Sequence, residues 1–223
     1  MTKVFLRYLA YAFGVFAGMV LMMLLAWQLP GGLQFEREMT AFNVRTSELS
    51  PIELLQNLLL LVCSGIFGWI ASRDRLRRPM AVGFSALFAI FLVRELDFFL
   101  DFYLRDNLWQ VLCAVIASVA GVYCFRNRSR YAQGWSRSWP SAGLALIIGG
   151  MILLIPFAQL VGHAEFWKLI LAENYIRIVK VATEEIVELG AYAIITIGTI
   201  EFFYSWSRLP RTRSLHSRPG KRW

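Results

Sequence analysis

The sequence predicts an all-α fold, a polytopic bundle of membrane helices, and three observations carry that reading. The 223 residues are 57% hydrophobic and only 17% charged, against the roughly 25% charged residues of a soluble domain. The mean hydropathy is +0.53. Six apolar runs reach the roughly 20 residues that a helix needs to cross about 30 Å of hydrocarbon. Backbone groups in lipid must be satisfied within their own segment, so these runs are helices.

The expected spans lie near 8–29, 52–71, 80–103, 107–125, 142–162 and 181–204. Together they make one bundle over 1–204, followed by a basic, Arg- and Ser-rich tail, 205–223. The first run follows Lys3 and Arg7 and is longer than the roughly 7–15 residues of a signal-peptide core, so it reads as a retained span. The second opens with Ser50, Pro51 and Glu53, the N-cap, N1 and N3 pattern of a capping box. The third and fourth are joined so tightly, around Tyr103 to Asn107, that they form a helical hairpin. Pro156 alone interrupts a span, the fifth. Between the fifth and sixth, 163–180 interleaves Phe166, Trp167, Leu169, Ile170, Tyr175, Ile176 and Val179 with Lys168, Glu173, Arg177 and Lys180. That pattern fits an interfacial helix or an outward extension of the sixth span.

Basic residues set the orientation. Sixteen Lys and Arg fall at the two termini and in the second and fourth connections. Six fall on the other side: Arg37, Arg45, Arg105, Lys168, Arg177 and Lys180. The positive-inside rule therefore places both termini in the cytoplasm of a bacterial inner membrane. The net charge of +8 belongs to this pattern, and no nucleic-acid partner is expected; membrane lipids are the expected contacts. The three cysteines, Cys63, Cys113 and Cys124, lack CxxC spacing and read as packing residues.

Of fifteen acidic residues, thirteen fall in the outer loops or at the outer ends of spans. Three clusters share a depth. Glu53, Gln56 and Asn57 enter the second span; Glu53 serves as a cap, but the two amides lie deeper and imply hydrogen bonds across the bundle. Arg94, Glu95, Asp97 and Asp101 end the third span, with Arg94, Asp97 and Asp101 on one helical face and Arg94–Asp97 as the simplest pair. Glu184, Glu185 and Glu188 open the sixth span, where the helix dipole favours the first two. Carboxylates so crowded repel, so a proton, a cation or Arg94 has to offset them. The expectation is one polar chamber near the outer leaflet built from these ten residues; the competing reading is three independent caps.

The chemistry is bounded by residue type. With only His163 and His216, histidine-based zinc or haem sites are not expected, and no cofactor is evident. No nucleophile elbow, phosphate loop or dinucleotide fingerprint sits in a usable context. Carboxylates and amides suit protons or a hard divalent cation held by the Glu and Asp of the cluster. Arg94 suits an anionic group such as a lipid phosphate.

Glu48–Gln56, Arg94–Asp97 and Glu184–Ala191 together resemble a group of uncharacterised bacterial multi-pass inner-membrane proteins with Arg-Glu-x-Asp and Glu-Glu-x-x-Glu motifs. Members of that group often carry a histidine after the first motif; here Phe98 and Phe99 stand there. The resemblance implies shared design and brings no established activity. Three readings stay open: a protein that binds or conducts a cation, proton or amphiphile; an intramembrane enzyme on a lipid headgroup, with Glu185 or Glu188 as general base; and an accessory protein whose polar residues fix helix pairing. The balance leans away from an enzyme. Oligomeric state is left open.

Overall fold

The computed structural model describes residues 2–28, 37–39, 44–46, 51–139 and 141–208. Ser50, Glu48 and the tail beyond Arg208 lie outside the described residues. The described chain is helical apart from a small antiparallel ribbon, β1 (Arg37–Met39) paired with β2 (Val44–Thr46). Five helical stretches are long and apolar enough to cross a membrane: Val4–Leu21, Pro51–Arg73, Leu108–Arg126, Ala142–Val161 and Arg177–Ser207.

The core is built by α2 (Pro51–Arg73), α3 (Arg78–Glu95), α7 (Ala142–Ile152) and α10 (Arg177–Ser207). Phe67 of α2 is fully buried at its centre. It stacks on Phe84 at 4.9 Å and on Phe202 at 5.6 Å, and meets Phe88 at 5.8 Å. Leu60, Ile70, Met80, Leu144, Ile147 and Ile195 close around it. The tightest seam runs between α7 and α10. A methyl group on Gly143 would stand 2.5 Å from the Phe202 nitrogen, and one on Gly198 2.8 Å from the Gly143 oxygen. Small residues there let two backbones approach closely, as in small-xxx-small pairing.

The expected third span, 80–103, is not one helix. α3 ends at Glu95, Leu96 leaves helical geometry at φ −98° and ψ 12°, and a short α4 (Asp97–Tyr103) follows. Charges at both ends of α3 (Arg78, Arg94 and Glu95) also keep it out of the set apolar enough to cross a membrane. The hairpin after it is as expected: Asn107 turns the chain in the left-handed region, φ 63°, before α5 (Leu108–Arg126), a conformation asparagine tolerates.

The fifth run keeps its length but widens into a π-helical turn, Leu153–Ala158, before α8 (Gln159–Val161). Pro156 lies inside that turn; proline supplies no N–H and clashes with the preceding turn, and a wider turn relieves both. Over 163–180, α9 (Ala164–Leu171) is a separate amphipathic helix, and α10 begins at Arg177, four residues before the expected start of the sixth span.

Two features differ from expectation elsewhere. The basic connection after α5 is itself a helix, α6 (Arg128–Ser138), seated on α3 by Trp135 stacked 6.1 Å from Phe84. And α1 (Thr2–Gln28) stands apart, with Phe5, Phe13, Phe16 and Met19 exposed. It meets α10 through Arg7 and Tyr11, which contact Glu201 at 3.0 Å each.

Candidate functional site

At the end of the bundle opposite Glu201, helices α2, α3 and α10 converge on a cavity of about 410 Å³. Six carboxylates line it: Glu53, Glu95, Asp97, Glu184, Glu185 and Glu188. One guanidinium, Arg94, faces them, with Trp109, Gln159 and Val181 completing the wall. Seven of the ten residues expected from sequence therefore share one cavity.

Local folding explains how they arrive there. Pro51 begins α2, and Glu53 faces inward from its first turn, only 6% exposed. One turn deeper Gln56 is fully buried, and its amide donates to the Glu185 carbonyl and to Glu185 Oε2, both at 3.1 Å. Gln56 thus fixes a cavity carboxylate from behind. The break at Leu96 leaves Arg94 and Glu95 as the last turn of α3. Arg94 Nη2 donates to Glu95 Oε1 at 2.9 Å and to Glu188 Oε1 at 3.2 Å. The guanidinium therefore turns to a neighbour and across to α10, where sequence spacing favoured Asp97. Glu95 is held from its other side by the Tyr192 hydroxyl, which donates at 2.7 Å.

The glutamates of α10 also differ in one respect. Because the helix starts at Arg177, Glu184 and Glu185 lie about two turns in, and the dipole effect fades beyond the first turn. Glu184 is offset instead by Lys180 Nζ at 2.8 Å, an i,i+4 pair on its own helix. Asn57 and Asp101 are not brought to the cavity; each keeps a sequestered Oδ1 without a hydrogen-bond partner among the described residues. The expectation of ten converging residues is corrected at these two, and Gln56 is supporting rather than lining.

Sequence reasoning missed Trp109, Gln159, Tyr192 and the role of Lys180. Gln159 was legible as the one amide in the run 142–162, and Tyr192 as the polar residue one turn beyond Glu188. Nothing in the sequence points to Trp109.

The chain matches no family model, no curated protein and no solved structure. The chemistry must be read from the cavity alone. Six carboxylates face one arginine there. Among the described residues, no three His, Cys, Asp or Glu side chains gather closely enough to hold a metal ion. The lining contains no histidine, cysteine or serine, so its carboxylates are the groups able to act as bases or nucleophiles there.

Proposed function

We propose that this is an integral membrane protein of the bacterial inner membrane, with both termini cytoplasmic, that binds an organic cation in the outer acidic cavity. The observation that carries the reading is the imbalance of six carboxylates to one guanidinium around an open space of about 410 Å³. That volume falls in the ordinary range of small-molecule pockets, about 300–1,000 Å³. It exceeds what a bare ion needs, and Trp109 in the lining is an aromatic residue of the kind that attracts ammonium groups. An amine, free or as the headgroup of an amphiphile, fits both features.

The sixteen-to-six split of Lys and Arg between the two sides of the sequence supports the orientation. Arg94 supports binding over a purely architectural role: its side chain is 40% exposed at the cavity, whereas a closed pairing network would bury it.

The test is thermal stabilisation of the purified protein in detergent by butylammonium, with butanol as the neutral control. Butylammonium should raise the melting temperature and butanol should not. Glu185→Ala and Arg94→Ala should remove the response while leaving membrane insertion intact, Arg94→Ala because it unpins Glu95 and Glu188. Equal responses to amine and alcohol, or undiminished responses in both variants, would sink the reading.

A further inference from the structure

A second cavity lies at the opposite, basic end of the bundle, and its chemistry is the reverse of the first. It is an apolar groove of about 670 Å³ between α2, α3 and α5, walled by small side chains that include Gly68, Ala71, Ala86, Ala89 and Val119, with Tyr123 at one end. The groove cannot close by α2 sliding onto α3. Ser64 Oγ donates to the Ser85 carbonyl at 3.0 Å, and Ser85 Oγ donates back to the Ser64 carbonyl at 2.9 Å, so those two helices are pinned. From Val82 to Ala89 the groove runs for about 10 Å along α3, at 1.5 Å per residue.

Its basic mouth is the second observation. Arg126 follows Tyr123 by three residues and so lies within a helical turn of the groove on the same side of α5. Arg78 reaches back to the mouth itself, donating through Nε to the Ala71 carbonyl at 2.8 Å. The two connections at this end carry eight arginines and one acid, Asp74. Arg77 already takes that acid at 2.8 Å. The mouth is left with a surplus of positive charge above an apolar slot.

We propose that this groove is a binding site for an anionic phospholipid of the inner leaflet. One acyl chain lies among the small residues of α2, α3 and α5, and the phosphate sits against Arg78 and Arg126. Basic pockets between helices at the cytoplasmic face recognise such headgroups electrostatically, and the groove adds apolar contact along the chain. The proposal rests on the membrane reading above but not on the ligand of the acidic cavity.

The test uses the full chain, purified in neutral detergent and stripped of lipid, then titrated with phosphatidylglycerol or phosphatidylcholine and read by native mass spectrometry. The wild type should retain phosphatidylglycerol in preference. Arg126→Gln should lower that affinity about fivefold and leave phosphatidylcholine unchanged. Ala89→Leu and Val119→Phe, filling the groove from opposite walls, should each reduce retention of both lipids. Arg126 is exposed, so its variant folds even if a filled groove does not. Equal retention of the two lipids by the wild type would overturn the proposal. So would full retention by the filled variants, or a detergent-stable dimer that Val119→Phe dissociates. Release of the wild type from membranes by alkaline carbonate would instead overturn the membrane reading itself.

Discussion

α10 carries a polar cluster near each end, and the two are built on opposite plans. At its C-terminal end Glu201 is 3% exposed and fully engaged, with Arg7 and the Tyr11 hydroxyl each at 3.0 Å. Nearby, Asp74 takes Arg77 at 2.8 Å and the Trp206 indole at 3.0 Å. Each acid there has its own cation and a neutral donor. Toward the N-terminal end of α10, six carboxylates share a cavity with one arginine, and only Glu184 has a lysine of its own. Balanced pairs satisfy themselves and hold helices together. In the cavity one guanidinium is shared between Glu95 and Glu188, so charge is not matched one to one. On the reading proposed above, one end of the helix is architecture and the other a site.

Three changes should break or sharpen that contrast. The largest effect is expected from Gly143→Ala, because α10 positions both clusters and a methyl group there meets the Phe202 nitrogen and the Gly198 oxygen within 2.7 Å. Parting α7 from α10 should cost about 3 kcal/mol, the upper range for overpacking. It should abolish amine binding and lower the melting temperature together. A variant as stable as wild type would mean that the seam is less tight than described.

Next in size is a matched pair, Glu201→Gln and Glu188→Gln. Removing Glu201 leaves Arg7 without its partner and should destabilise by about 1–3 kcal/mol, with amine affinity unchanged. Removing Glu188 relieves crowding among like charges, so stability should hold or rise while amine affinity falls about tenfold, equivalent to about 1.4 kcal/mol. If the two variants behave alike in both assays, the distinction between architecture and site is lost.

The smallest effect concerns Asp74, which lies between α2 and α3. Burial by itself would raise its carboxyl, but hydrogen bonds from the Arg77 guanidinium, the Trp206 indole and the Arg77 backbone outweigh it and hold the group below its ordinary value. The folded chain therefore prefers the charged form. Its contribution, about 1 kcal/mol, is complete above about pH 3.9, the unfolded value, and is lost as the pH falls through the lower folded value. Asp74→Asn should be less stable than wild type at neutral pH, and the gap in melting temperature should close on acidification. A gap that widens in acid would reverse the assignment.

Much of this was legible in the chain. Hydropathy and length marked every run that became a long apolar helix, because burying or embedding such segments needs no partner to specify it. The clustering of Glu53, Arg94, Glu95, Asp97, Glu184, Glu185 and Glu188 could be foreseen as well, since alternating helix directions bring residues of similar depth together. The helix break at Leu96 could not, for neither glycine nor proline marks it. Nor could the helical state of 128–138, whose polar composition conceals the Trp135 contact with Phe84.

What the sequence by itself determined is the helical class, the runs long enough to cross a membrane and the segregation of charge between two ends. These follow from composition and periodicity, which act locally along the chain. Only the tertiary structure decided which charges pair. Arg94 reaches Glu95 and Glu188, Gln56 holds Glu185, and Asn57 and Asp101 stay outside the cavity. Such choices depend on helix rotation and on a single break at Leu96, and side chains on different helices meet only once packing has set both.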